Sequence, residues 1–115
     1  LVMNHHTGAG VPDHGDSLVG QAIWVSEVTW AAQTGFRHLL LSGVFERFPR
    51  LKYILTESGC AWAGPMLRNL DGIHMNLARG QTGEIKYSGE WILKEPPSAY
   101  ARRNCFYGAS FPSKA

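Results

Sequence analysis

The chain has 115 residues and a formal net charge of +2, which suits one compact domain and is too small a charge to indicate nucleic-acid binding. Apolar residues make up 44% and charged residues 17%, which excludes global disorder and supports a packed core. No segment approaches the ~20 apolar residues of a membrane span and no signal peptide is recognisable, so we expect a cytoplasmic protein. Cys60 and Cys105 form no CxxC pair, which favours free thiols in a reducing compartment.

The first predicted elements are a strand, a long loop and a helix. Residues 1–6 are half apolar and predict the strand, and the glycine-rich residues 7–20 predict a loop of the kind that often carries function. Residues 18–33 predict a mostly buried helix, because apolar residues cover most of its circumference. We expect Gly35 to stop this helix.

The remaining predicted elements are a helix at 37–48, a strand at 51–56, an amphipathic helix at 62–78, a loop at 80–97, a short helix at 97–103 and a strand at 105–109. Pro49 ends the first of these helices, and Pro97 opens the last, where no backbone amide is needed.

The order of strand, helices, strand, helix and strand predicts an α/β fold. Strands joined by helical connections pair in parallel and are expected to bury both faces of their sheet. The chain begins without Met and stops without a closing element, so we expect a fragment of a larger domain. A self-contained small α/β domain is the alternative.

Polar residues follow the predicted strands at their carboxyl ends, where parallel α/β folds bind ligands. His6 ends the first strand, Glu57 follows the second and Ser110 follows the third. We therefore expect His6 and Glu57 to converge at one rim of the sheet, close enough to share an ion or a substrate.

The paired histidines of the first strand must point to opposite faces. His6 shares its face with Asn4 and is predicted to enter the site, whereas His5 is expected to pack under the helices. Imidazole is a common zinc ligand with a carboxylate as its usual companion, so His6 is a candidate metal ligand and Asn4 a candidate substrate-binding residue. A histidine bonded only to the backbone is the structural alternative.

Glu57 follows an apolar strand and precedes Ser-Gly. A carboxylate held partly desolvated at such a point suits a general acid or base, which makes Glu57 the candidate catalytic residue. A metal ligand, a partner for an arginine and a solvated turn residue are the alternatives.

Several other residues have weaker interpretations. His14, in the glycine-rich loop, is either a substrate contact or a surface histidine. The helical spacing of Trp24, Trp30 and Trp62 predicts core positions, and Trp62 is also counted as a candidate substrate-binding residue. Cys60 is expected to be a small packed residue. The glycine-rich loop lacks the GxGxxG spacing, which argues against dinucleotide binding.

The runs SGVFERFPRLK at 42–52 and LTESGCAW at 55–62 resemble the amidohydrolase-related family, closest to its aminocarboxymuconate-semialdehyde decarboxylase-like branch. NHHTGAG at 4–10, PSAY at 97–100 and RNC at 103–105 match its flanking segments, so the resemblance covers nearly the whole chain. It implies a metal-dependent (β/α)8 barrel, an architecture of ~250 residues, of which this chain supplies strands resembling the fifth to seventh.

The resemblance also implies roles for particular residues. His6 stands where the family has its strand-five metal ligand, which implies a divalent ion and most simply zinc. The HxH motif of the first strand and the aspartate after the eighth lie outside this chain. Glu57 departs from the family, since decarboxylase members usually carry an acid/base histidine there.

The expected function is therefore part of a metal-dependent hydrolase or decarboxylase (a carboxy-lyase) acting on a small organic carbonyl or carboxylate substrate. The fragment itself is expected to be inactive, and the full-length protein to form a homodimer, with neither nucleic acid nor membrane as a partner. The alternative is a non-catalytic barrel or binding module that has lost the metal chemistry.

Overall fold

A computed structural model of the protein describes residues 1–8, 10–82, 84–86 and 93–108. Ser110, which follows the third predicted strand, lies outside them. The elements are β1 (Val2–His6), α1 (Leu18–Glu27), α2 (Trp30–Leu41), α3 (Val44–Arg47), β2 (Lys52–Thr56), α4 (Ala63–Ala78), β3 (Gln81–Thr82), β4 (Ile85–Lys86), α5 (Pro97–Asn104) and β5 (Cys105–Tyr107).

Three of the strands form a parallel sheet in the order β1-β2-β5. His6 of β1 is paired with Thr56 of β2, and Tyr53 of β2 with Cys105 of β5. All three strands therefore end at the same edge of the sheet, and the prediction of a mixed α/β fold with three parallel strands is confirmed. The predicted loop at 80–97 contains a short antiparallel hairpin of β3 and β4.

The helices between β1 and β2 differ from the prediction. The chain breaks at Val28–Thr29, because the Val28 carbonyl accepts hydrogen bonds from Gly8 N (2.9 Å) and Thr7 Oγ1 (2.8 Å) instead of continuing the helix. Helix α2 then runs straight through Gly35. A Cβ at Gly35 would lie 2.9 Å from His5 Cε1, so this glycine permits close packing of α2 on β1 and does not stop a helix.

The predicted helix at 37–48 is also divided. Helix α2 ends at Leu41. Gly43, with a left-handed φ of 79°, directly precedes the four-residue α3. Pro49 then prevents the helix from continuing, as expected.

One face of the sheet carries the core. Phe36 of α2, Tyr53 and Leu55 of β2, Leu70 of α4 and Tyr100 of α5 are each no more than 2% exposed. Burying a side chain of this size stabilises the fold by about 1.5–3 kcal/mol relative to leaving it in water. The helices therefore lie on the side of the sheet to which β2 directs Tyr53 and Leu55.

The opposite face of the sheet is bare, so the expectation that both faces are buried is wrong for the described residues. Val2 is 61% and Phe106 47% exposed, and Asn4, His6 and Lys52 are exposed beside them. Parallel sheets are normally covered on both faces, which makes this open face unusual.

Helix α1 is exposed as well, against the prediction of a buried helix. Leu18 and Val25 are 84% and 64% exposed, and only Gly20 of this helix is buried. The core positions predicted for Trp24 and Trp30 are wrong, since these side chains are 41% and 54% exposed. The break at Val28 places α1 beyond the rim of the sheet, where no other described element covers it.

The two cysteines are free thiols in different surroundings. Cys60 is exposed, so its predicted packing is wrong, whereas burial raises the pKa of Cys105 to about 12. Among the described residues, no helix has the length and apolar character needed to cross a membrane.

Candidate functional site at the carboxyl rim of the sheet

The His6 and Glu57 side chains meet at the rim of the sheet. His6 is the last residue of β1, its strand partner is Thr56, and Glu57 follows Thr56 directly. His6 Nε2 lies 3.2 Å from Glu57 Oε2, with 61% and 49% of the two side chains exposed. The convergence expected from the sequence is therefore present, on the bare side of the sheet.

Glu57 has a left-handed backbone, with φ at 56°, and is the one non-glycine residue with positive φ among those the structure describes. An L-residue in this conformation is destabilised by roughly 1–2 kcal/mol. Such strain persists where the surroundings fix it, and it often marks functional sites. The Glu57 side chain is 49% exposed, so its carboxylate is only partly shielded from solvent.

The next turn holds this conformation in place. Ser58 is buried, its hydroxyl donates to the Thr56 carbonyl at 3.2 Å, and its own carbonyl accepts from Trp62 Nε1 at 2.8 Å. The Trp62 ring packs edge-on against Phe36 at 5.3 Å between centroids. This placement favours the core interpretation of Trp62 over substrate binding.

The other nitrogen of the His6 ring is bonded to the backbone. Nδ1 lies 3.0 Å from the Thr7 carbonyl oxygen, which can only accept, so Nδ1 carries the proton of this hydrogen bond. In a neutral ring, Nε2 is then an unprotonated acceptor that faces the Glu57 carboxylate. Two acceptors 3.2 Å apart repel each other unless a proton or a cation lies between them.

Asn4 lies on the same open face, next to His6 along the strand. It accepts a hydrogen bond from Thr56 Oγ1 at 2.6 Å, which leaves the amide N–H groups of Asn4 available as donors. Thr56 is a site residue that was not predicted, although its pairing with His6 follows from the parallel register of β1 and β2.

Gly108 lies close against the backbone that leads from β2 into Glu57. It follows β5 and donates its N–H to the Leu55 carbonyl at 2.7 Å, so it continues the pairing one residue beyond Leu55 and Tyr107. A Cβ at Gly108 would lie 3.1 Å from that carbonyl and 3.7 Å from Glu57 N. Gly108 was not predicted as a site residue either, because its position depends on how β5 pairs with β2.

His5 lies on the opposite face, as the strand alternation predicts. Its Nδ1 is 2.8 Å from the Tyr53 hydroxyl, and burial raises the pKa of Tyr53 to about 12. A cavity of about 540 Å³ lies along the outer edge of β1, between Asn4, His6 and the α2 residues Gly35 and Leu39. The open face and this cavity give the rim two approaches from solvent.

His14 forms a second histidine–carboxylate pair. Its Nε2 lies 2.7 Å from Glu27 Oε2, which joins the glycine-rich loop to the end of α1. The His14 ring is therefore paired with a residue of α1. The substrate-binding role of His14 stays a prediction.

The donor atoms at the rim are of the types that a divalent metal binds. Zinc binds imidazole nitrogen and carboxylate oxygen, and a metal-bound histidine almost always donates its other N–H to a carbonyl or carboxylate, as His6 does to Thr7. Of the four donors of a tetrahedral site, His6 can supply one, and Glu57 can either supply a second or transfer a proton beside the ion. The part of the chain described here brings no three or more His, Cys, Asp or Glu residues together as a metal site.

No protein-family model matches this chain, and no curated protein matches it. The geometry of the rim and the segments quoted above are therefore the basis for a functional proposal.

Proposed function

We propose that this chain forms part of a metal-dependent hydrolase or carboxy-lyase with a (β/α)8 barrel fold, acting on a small carbonyl or carboxylate substrate. The observation that carries the proposal is the 3.2 Å approach of His6 and Glu57 at the ends of adjacent parallel strands. In parallel α/β folds this is the edge where catalytic residues from different strands meet.

The barrel is supported by the surfaces that the sheet leaves uncovered. β1 lies at one end of the sheet order, and the face that carries His6 and Asn4 is bare. Closure into a barrel would pair the outer edge of β1 and cover this face, with His6 and Glu57 at the carboxyl-end opening.

The roles follow from the donors that the side chains present. When bound, a divalent ion such as zinc supplies a Lewis acid that polarises the substrate carbonyl or carboxylate. His6 would hold it through Nε2. The amide of Asn4 would donate a hydrogen bond to a substrate oxygen.

Glu57 would transfer the proton. In hydrolysis it takes a proton from the attacking water, and in decarboxylation it gives one to the carbon that carried the departing carboxylate. The Glu57 side chain is 49% exposed, so a substrate can approach the carboxylate from solvent.

Zinc titration of the 115-residue chain by calorimetry tests the site. We expect His6→Ala to weaken zinc binding at least tenfold, because it removes the nitrogen donor at the rim. His14→Ala is the matched control, because it also removes a histidine that faces a glutamate. This variant leaves His6 in place and should leave the zinc affinity of the rim unchanged.

Two results would contradict the proposal. Equal zinc affinity in wild type and His6→Ala would exclude His6 as a ligand. Absence of zinc binding in wild type, and also in a longer chain that includes the flanking coding sequence, would favour the non-catalytic module.

A further inference from the structure

We infer that the peptide between Thr7 and Gly8 is a positioning unit that selects the tautomer of His6 and so leaves Nε2 free for a cation. The inference rests on the proposed function for the cation, but the tautomer itself can be observed without one. Thr7 and Gly8 act through His6 and touch neither substrate nor metal.

The geometry of one trans peptide carries the argument. The Gly8 N–H and the Thr7 carbonyl belong to the same planar unit and point in opposite directions. The N–H donates to the Val28 carbonyl at 2.9 Å, so the Thr7 oxygen is turned the other way, to within 3.0 Å of His6 Nδ1. The corner between α1 and α2 thus sets the direction of the carbonyl that bonds the imidazole.

Two further bonds hold Thr7 in place. Its backbone N–H donates to the Thr56 carbonyl at 3.1 Å, and its hydroxyl donates to the Val28 carbonyl at 2.8 Å. Thr7 is therefore tied to the end of β2 and to the helix corner at once.

Gly8 is required for its backbone conformation. Its φ is +87°, a conformation in which L-residues are strained. A Cβ at this position would meet Val28 and Trp24 only at ordinary distances of 3.6–3.7 Å. A substitution at Gly8 would therefore act by turning the peptide plane and not by a steric clash.

The Thr7 carbonyl competes with the Glu57 carboxylate for the single proton of a neutral His6 ring. A proton on Nε2 would bond Glu57 and block the nitrogen that faces the rim, whereas a proton on Nδ1 bonds Thr7 and leaves Nε2 as a lone pair. The Thr7–Gly8 peptide stabilises the second form, which is the one that a metal requires.

The test reads the tautomer by long-range ¹H–¹⁵N correlation NMR of the metal-free chain at about pH 8.5, where an ordinary histidine with a pKa of about 6.5 is neutral. Glu57→Ala provides the background, because it removes the competing acceptor. We expect His6 to be mainly protonated at Nδ1. Adding Gly8→Ala or Thr7→Val should lower that fraction at least threefold.

Two variants serve as controls in the same background. Thr7→Ser keeps the hydroxyl and should keep the tautomer. Thr34→Val removes a hydroxyl that donates to the Trp30 carbonyl at 3.1 Å in α2, and should have no effect on His6. Thr7→Val keeps the glycine at position 8, so the result does not depend on the folding of Gly8→Ala.

Zinc affinity, measured with Glu57 intact, is the second readout. Loss of an outer hydrogen-bond partner typically weakens metal binding 10–100-fold, and we expect this of Thr7→Val and Gly8→Ala but not of Thr34→Val. His6 protonated at Nε2 in the Glu57→Ala chain, or a tautomer that neither variant shifts, would overturn the inference. A shifted tautomer with unchanged zinc affinity would overturn the role of the peptide in metal binding.

The two proposals fail in different ways. If wild type binds no zinc, the proposed function fails while the tautomer measurement still decides whether the peptide positions His6. If zinc binds through His6 and the tautomer is the same in every variant, the positioning role alone is overturned.

Discussion

Glu57 combines a functional contact with a strained backbone, and both depend on one residue. Its left-handed φ of 56° turns the chain at the end of β2 and places the carboxylate 3.2 Å from His6. A glycine would adopt this turn without strain, so the presence of a glutamate favours a role for the carboxylate over a role in stability.

The strained backbone of Glu57 predicts a difference in stability between two variants. Glu57→Gly and Glu57→Ala both remove the carboxylate, but only glycine relieves the left-handed backbone, which destabilises an L-residue by roughly 1–2 kcal/mol. The greater freedom of unfolded glycine offsets roughly 0.5–1 kcal/mol of this. We expect urea denaturation to show Glu57→Gly more stable than Glu57→Ala by about 0.5–1 kcal/mol. A more stable alanine variant would show that the strain at Glu57 is smaller than the entropic effect of glycine in the unfolded chain.

At the scale of elements, a carboxylate joins α3 to α5. Glu46 of α3 accepts hydrogen bonds from the Tyr100 hydroxyl of α5 and from Lys94 N, at 2.6 Å for the latter. The hydrogen bond from Tyr100, and then that from Lys94, lowers the pKa of Glu46. Arg103 lies over the Tyr100 ring and pairs with Glu95.

The contacts of Glu46 predict that the free energy of unfolding depends on pH in the acid range. A carboxyl whose pKa is lower in the folded state stabilises the fold above its unfolded pKa, about 4.3 for glutamate, and loses that contribution as the pH falls through the folded value. We expect the free energy of unfolding to fall below about pH 4.3, and to fall less steeply in Glu46→Gln. Urea denaturation between about pH 3 and 7 measures this.

The control for this measurement is Glu84→Gln, on the exposed turn between β3 and β4. The pH profile of the control should follow that of wild type. If Glu46→Gln also gave the wild-type profile, the Tyr100 and Lys94 contacts would not stabilise the charged carboxylate.

Two surfaces of the described part of the chain each expose several apolar side chains. Leu18, Val25 and Trp30 lie on the uncovered α1 and the start of α2, and Val2 and Phe106 lie on the bare face of the sheet. Together with the open edge of β1, these surfaces are typical of a unit that packs against further protein.

We therefore predict that the 115-residue chain associates in solution. Sedimentation velocity should show an average mass that rises with protein concentration, because association removes apolar surface from water. Val25→Lys and Phe106→Lys should each reduce the association, whereas Ser26→Lys, next to Val25 on an exposed and polar position, should have little effect. A monomer at all concentrations with one sharp, cooperative unfolding transition would support the self-contained domain.

The three strands of the parallel sheet, the amphipathic α4, the opposite orientations of His5 and His6 and the position of Glu57 at the carboxyl rim could be predicted from the sequence. Side-chain alternation and helical periodicity are local properties of the chain. The sequence alone could not predict the break at Val28, the passage of α2 through Gly35 or the exposure of α1 and one sheet face. These depend on which carbonyls, rings and faces meet in three dimensions. Only the folded chain brings His6 within 3.2 Å of Glu57, since residues some fifty positions apart become neighbours only when β1 and β2 pair. The direction of the Thr7–Gly8 peptide likewise depends on the contact of Gly8 with Val28.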